Sequence, residues 1–216
     1  MKKIILMLTL VLAVLTAGAQ RSELYGQRSS LFAELPVDST DIVFLGNSLI
    51  HGCEWHELLD MPNVLNRGIN GDTADGINDR LDAILPGHPA KIFLICGAND
   101  VSHDLSADSI ATLITALVER IQTESPSTKL YLNSVLPVNN SFNRYRLMKD
   151  KEQTIRDINA RLRPMAEAHG VPFIDIHSAL ADEDGNLRRE YTNDGLHLLG
   201  PAYLIWRDML LPYVQE

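Results

Sequence analysis

Short, uninterrupted apolar runs alternate along this chain with stretches whose apolar residues recur every three or four positions. Ile42-Val43-Phe44-Leu45 runs straight into Gly46, as a strand buried on both faces does. Val64-Leu65-Asn66 repeats the pattern more weakly, and Lys91 to Cys96, followed at once by Gly97, repeats it most strongly. A fourth run extends from Leu130 to Leu136 and is stopped by Pro137; a fifth covers Pro172 to Ile176. Between them, Ile110, Leu113, Ile114, Leu117, Val118 and Ile121 share one helical face, with Ser106 or Asp108 as the cap. Ile155, Ile158, Leu162 and Met165 form a sparser stripe, and Tyr203, Trp206 and Leu210 mark a final helix. Strands alternating with helices of this length predict a parallel sheet covered on both faces. Right-handed crossovers then give a doubly wound α/β fold, a three-layer sandwich around five strands.

The first residues are set apart from this pattern. Lys2 and Lys3 precede an apolar run from Ile4 to Leu15, and small residues follow at Ala17 and Ala19. These are the three parts of a secretory signal peptide. The run is shorter than the ~20 residues a spanning helix needs, so no stable membrane anchor is expected. Cleavage after Ala19 would leave residues 20–216 as a single domain, secreted or periplasmic in a bacterial host. The formal charge is −9, and loss of two leader lysines makes the remainder more acidic still. Such a surface disfavours nucleic acid as a partner. Only two cysteines are present, Cys53 and Cys96. A framework of bridges is excluded, and buried free thiols are the expected state.

In a doubly wound sheet the ligand site lies beyond the carboxyl ends of the strands. Gly46-Asn47-Ser48-Leu49 follows the first strand, Arg67-Gly68-Ile69-Asn70-Gly71-Asp72 the second, and Gly97-Ala98-Asn99-Asp100 the third. Asp194-Gly195-Leu196-His197 precedes the last helix. A serine at a strand-to-helix junction presents its hydroxyl to solvent, but it is unreactive until a base takes its proton. His197 can be that base, and Asp194 can hold its Nδ1–H and stabilise the imidazolium. A tetrahedral intermediate needs donors for its oxyanion; the candidates are the amides of Ser48 and Gly68 and the side chain of Asn99. Taken singly, Ser48 reads as a helix cap, Asn99-Asp100 as a turn and His197 as a surface histidine. Their joint occurrence at strand ends favours chemistry.

In this order and at these separations, the four blocks resemble those of the SGNH (GDSL-like) hydrolase superfamily. Ser48, Gly68, Asn99 and His197 match its four eponymous residues, and Asp194 its triad acid. One position departs: Asn47 stands where Gly-Asp-Ser-Leu is usual, which alters a supporting hydrogen bond rather than the nucleophile. The block from Gly68 to Thr73, with Trp55, is closest to small, single-domain acetylesterase-like members. The resemblance implies a flavodoxin-like SGNH hydrolase fold and serine ester hydrolysis without cofactor or metal.

The expected substrate is a small-molecule or glycan ester, with acetyl as the acyl group; sialic acid, plant polysaccharide and peptidoglycan esters all fit. The connection from Pro137 to Lys149 carries Asn139, Asn140, Asn143, Arg144, Tyr145 and Arg146, a polar loop suited to a carbohydrate alcohol. Asn139 and Arg144 are therefore candidate substrate contacts. So are His51, close to Ser48, and Trp55, which reads equally as a sugar platform or as core. His51, Cys53 and His56 match no standard zinc spacing, and Asp182, Glu183 and Asp184 read as a solvated turn. A short-chain thioesterase or lysophospholipase on the same fold is the enzymatic alternative. A glycan-binding module without chemistry, or a flavodoxin-like cofactor binder, is the alternative of another class. A Gly-x-Ser-x-Gly elbow is absent, which disfavours the α/β-hydrolases. Composition leaves the oligomeric state open.

Overall fold

The computed structural model describes residues 21–216, so the leader read at residues 1–19 lies outside the described part. Five parallel strands form one sheet in the order β2-β1-β3-β4-β5. They are β1 (Ile42–Gly46), β2 (Val64–Gly68), β3 (Lys91–Ile95), β4 (Lys129–Asn133) and β5 (Phe173–Ile174). Central β1 and β3 are buried at every position, as their unbroken apolar runs require. Register aligns Gly46 with both Gly68 and Ile95, so three chain segments leave the sheet at the same level.

Alternate strand residues point to two separate cores. Val43, Leu45, Ile92 and Leu94 pack under α4 (Ala74–Asp79), α5 (Ala98–Ser102), α6 (Ala107–Glu124) and α7 (Glu152–Ala168). Phe44, Phe93 and Tyr131 face the other way, toward α3 (Trp55–Leu59), α8 (Ile176–Leu180) and α9 (Gly200–Gln215). The Ser106 hydroxyl accepts the Ser109 N–H, which makes it the cap of α6; Ile110, Ile114, Leu117, Val118 and Ile121 are buried, as the periodicity predicts. Ile155, Ile158 and Leu162 of α7, and Tyr203, Trp206 and Leu210 of α9, are buried likewise.

Two strands are shorter than their apolar runs. β4 stops at Asn133 instead of reaching Leu136 because the Asn159 side chain binds both Val135 N–H and Val135 C=O, each at 2.8 Å. β5 is only two residues long, since the Asp175 carboxylate caps α8 by accepting the Ser178 N–H. A helix not read from the sequence, α1 (Glu23–Glu34), lies on the chain before β1 and buries only Phe32. The two cysteines are free and buried in opposite cores, Cys53 in one and Cys96 in the other.

Candidate active site

The position of Ser48, the candidate nucleophile, follows from how β1 ends. Asn47 is buried, and its Oδ1 accepts the Leu49 N–H at 3.0 Å, which starts the short helix α2 (Ser48–His51) at Ser48. Asparagine thus supplies the acceptor that an aspartate would supply here. The Ser48 N–H is left without a partner among the described residues, as expected for the first turn of a helix.

His197 reaches this serine from the opposite end of the chain, with Nε2 3.0 Å from Ser48 Oγ. Its Nδ1 lies 2.8 Å from Asp194 Oδ2. The local turn explains the three-residue spacing. Asp194 Oδ1 accepts the N–H groups of Leu196 (2.9 Å) and His197 (2.8 Å), so one oxygen folds the turn while the other holds the imidazole. Burial pushes the Asp194 pKa up, but the imidazole and the two backbone N–H groups outweigh it and bring it down to about 2. The carboxylate is therefore charged throughout the range in which a histidine titrates.

The candidate oxyanion donors require one correction. The Gly68 N–H is already bound, donating to Asn66 Oδ1 at 2.8 Å, and Gly68 is buried away from the cavity. Its glycine character serves packing: a Cβ there would stand 2.2 Å from the His51 nitrogen. Three residues on, Gly71 lines the cavity with Ser48 and Asn99. Its φ of +78° lies in the left-handed region that glycine tolerates, and its N–H has no partner among the described residues. Asn99 Nδ2 donates to the Asp72 carbonyl at 2.8 Å, which fixes the amide and leaves its second hydrogen.

Two supporting elements were not read from the sequence. Asn66 Nδ2 donates to Ile50 O (2.8 Å) and Cys53 O (2.9 Å), stapling the end of α2 to β2. The buried pair of Arg80 Nε and Asp72 Oδ2, at 2.8 Å, joins the Gly71–Asp72 loop to β1, because Arg80 Nη2 donates to Gly46 O at 3.0 Å. An isolated Asp and Arg eight positions apart carry no motif that would announce this.

A cavity of about 540 Å³ opens over Ser48, Asn99 and His197. Leu49, Ala98 and Leu196 form its apolar walls beside those three residues, and Leu147 and Met148 add to them from the loop before α7. Of the expected substrate contacts, Arg144 lines the cavity. The other three expected substrate contacts do not. Trp55 is fully buried, stacked on Phe44 with ring centroids 4.4 Å apart, so it is core and no sugar platform. Asn139 is buried, donating to Leu187 O at 2.7 Å and accepting from Ser141, so it shapes the loop from beneath. His51 turns away from the cavity, its Nδ1 buried without a partner, and burial and nearby Arg28 push its pKa down. Tyr145 belongs instead: its hydroxyl lies 3.1 Å from both Asp194 Oδ2 and His197 Nδ1. Among the described residues, no three His, Cys, Asp or Glu side chains gather as metal ligands, and no helix is long and apolar enough to cross a membrane.

Comparison with known proteins bears on this geometry. The model of the GDSL-like lipase/acylhydrolase family matches residues 44–203, from β1 into α9. The chain belongs to that family. Among curated relatives of this acylhydrolase, a rat platelet-activating factor acetylhydrolase IB subunit alpha1 is 29% identical, covering 82% of this chain and 78% of its own. The human subunit alpha2 is 27% identical over 76% of this chain and 71% of its own. A GDSL-like lipase structure from Bacteroides thetaiotaomicron superposes with a TM-score of 0.77 at 26% identity, covering 88% of this chain and 97% of that one. The five-stranded parallel sheet of the acylhydrolase is thus the fold of the SGNH superfamily, as the sequence blocks imply.

Proposed function

We propose that this acylhydrolase is an exported serine esterase that removes short acyl groups, acetyl above all, from a polar alcohol such as a sugar. The observation that carries the reading is His197, hydrogen-bonded to Ser48 Oγ on one side and to Asp194 on the other. His197 takes the Ser48 proton as the oxygen attacks the ester carbonyl. The Ser48 and Gly71 N–H groups and Asn99 Nδ2 receive the developing oxyanion. Protonated His197 then donates to the leaving alcohol, and water activated by the same imidazole releases the acid.

Acetyl is supported by Leu49, Ala98 and Leu196, which line the same cavity as Ser48 and present apolar surface to a small group. It is supported also by the mammalian relatives, which are named as acetylhydrolases. A polar alcohol is supported by Arg144 and Arg146 at the cavity's margin, and the glycan is the class we favour. The volume of about 540 Å³, with Leu147 and Met148 adding to its apolar lining, favours one second reading: an esterase or thioesterase for longer acyl chains.

The test is a chain-length series of p-nitrophenyl esters, with acetylated glycans assayed for acetate release. Highest kcat/KM on acetate and butyrate, with acetate freed from a glycan, supports the proposal. A preference for octanoate over acetate would replace it with the second reading.

A further inference from the structure

Asp194 is more fully bound than a histidine-orienting carboxylate has to be. Oδ1 accepts the Leu196 and His197 N–H groups, and Oδ2 faces both His197 Nδ1 at 2.8 Å and the Tyr145 hydroxyl at 3.1 Å. These four close donors match the four lone-pair directions of a carboxylate, with the Thr192 hydroxyl, at 3.3 Å, a weaker neighbour. The Tyr145 oxygen also lies 3.1 Å from His197 Nδ1, closing a three-membered ring of polar contacts. Its ring meets the imidazole edge-on, centroids 5.5 Å apart at 76°. Burial and the Asp194 carboxylate push the phenol's pKa up, so its hydroxyl remains a donor through the neutral range.

The segment that carries this tyrosine also forms the cavity wall. Residues 144–148 all line the cavity. The segment is bounded by two non-glycine residues in the left-handed region, Asn143 at φ 53° and Asp150 at φ 59°. It is pinned by buried Met148, while Leu147 stays 64% exposed. Tyr145 is where this strap touches the Asp–His couple, on a side where the His197 side chain is still 37% exposed.

We propose that Tyr145 is a positioning residue: its hydroxyl fixes the Asp194 carboxylate and shields the Asp194–His197 hydrogen bond, fastening the substrate-lining strap to the catalytic couple. This rests on the esterase reading above. Because the hydroxyl shares Oδ2 with the imidazole, it acts on the rate of proton transfer rather than on substrate affinity. In the ester hydrolysis itself the tyrosine neither gains nor loses its proton.

Tyr145→Phe keeps the ring and removes the hydroxyl, so it isolates the contact. With p-nitrophenyl acetate we expect kcat to fall about 3- to 10-fold, the scale of one hydrogen bond to a charged group partly replaced by water, with KM unchanged. Tyr145→Ala, which also uncovers the couple, should lose more. An activity-independent signature accompanies this: relieved of a competing donor on Oδ2, the His197 Nδ1–H proton resonance should move downfield in Tyr145→Phe. Wild-type kcat with an unmoved Nδ1–H resonance would overturn the proposal. So would a loss confined to KM, which would make Tyr145 a substrate contact. Ser48→Ala assayed alongside separates the two levels: if it keeps wild-type activity the esterase reading itself fails, whatever Tyr145→Phe does.

Discussion

Replacing Arg80 by methionine tests whether the buried ion pair beneath the Gly71–Asp72 loop holds this end of the molecule together. The guanidinium and its partner Asp72 have side chains only 3% and 0% exposed, so neither charge can turn to solvent when the other is lost. Among the described residues, Arg80→Met leaves buried Asp72 with the Thr73 N–H as its one hydrogen-bond donor and Arg21 as the remaining nearby cation, and leaves Gly46 O without its Arg80 donor. Stranding one member of a buried pair costs about 3–5 kcal/mol. That is a large part of the roughly 5–15 kcal/mol that holds such a domain folded. With a urea m-value of about 2–3 kcal/mol/M, the unfolding midpoint should drop by roughly 1–2 M.

The pH dependence has a definite sign. Burial already raises the Asp72 pKa against the pull of Arg80, so removing Arg80 raises it further. The native variant then keeps a proton that the unfolded chain releases above the ordinary carboxylate range, and its stability falls as pH rises through that window. The deficit should thus be larger at pH 7.5 than at pH 4.5, and Asp72→Asn combined with Arg80→Met should recover much of it. Trp55 and Trp206, both fully buried, report unfolding by fluorescence. A deficit below about 1 kcal/mol, or one identical at the two pH values, would refute the reasoning.

Asn99→Ala should lower kcat for p-nitrophenyl acetate roughly 10²–10³-fold with little change in KM, because it removes a donor needed most in the transition state; steady-state kinetics decides this. Asp194→Asn should be severely impaired yet folded, since an amide oxygen can still accept the Leu196 and His197 N–H groups while the imidazole loses its anionic partner. The Asp194 pKa is lowered to about 2, so its contribution to stability is present above the usual carboxylate pKa and fades as pH falls toward 2. Chemical denaturation should accordingly show the wild type's advantage over Asp194→Asn shrinking as pH falls from about 5 to about 2. Trp55→Phe should lower stability without altering KM for any ester, the behaviour of a core residue stacked on Phe44.

The sheet was legible because β1 and β3 are buried on both faces and read as continuous apolar runs. The Ser48, Asp194 and His197 constellation was legible because Ser48 follows the plain apolar run of β1, and Asp194 and His197 lie in the short turn that leads into the apolar stripe of α9. Gly68 and Gly71 could not be told apart in the string Gly-Ile-Asn-Gly-Asp. Only the hydrogen bond from the Gly68 amide to Asn66, two positions back on the same strand, shows which glycine is free. Trp55 stayed open between core and sugar platform because a short amphipathic helix does not reveal which face meets the sheet; burial decides for the core. Asn139 misled for a related reason: an asparagine in a polar loop gives no sign of whether it faces solvent or bonds Leu187 O from within. α1 was silent because a helix that buries only Phe32 leaves almost no periodic signal.

The central claim is that Ser48, activated by His197, becomes acylated. A fluorophosphonate probe phosphonylates a serine only when a base and an oxyanion site act on it together, and peptide mass spectrometry locates the adduct. The account predicts one phosphonylated residue, Ser48, with labelling abolished in Ser48→Ala and slowed by orders of magnitude in His197→Ala. Adduct on another residue, or undiminished labelling of the His197 variant, would contradict it.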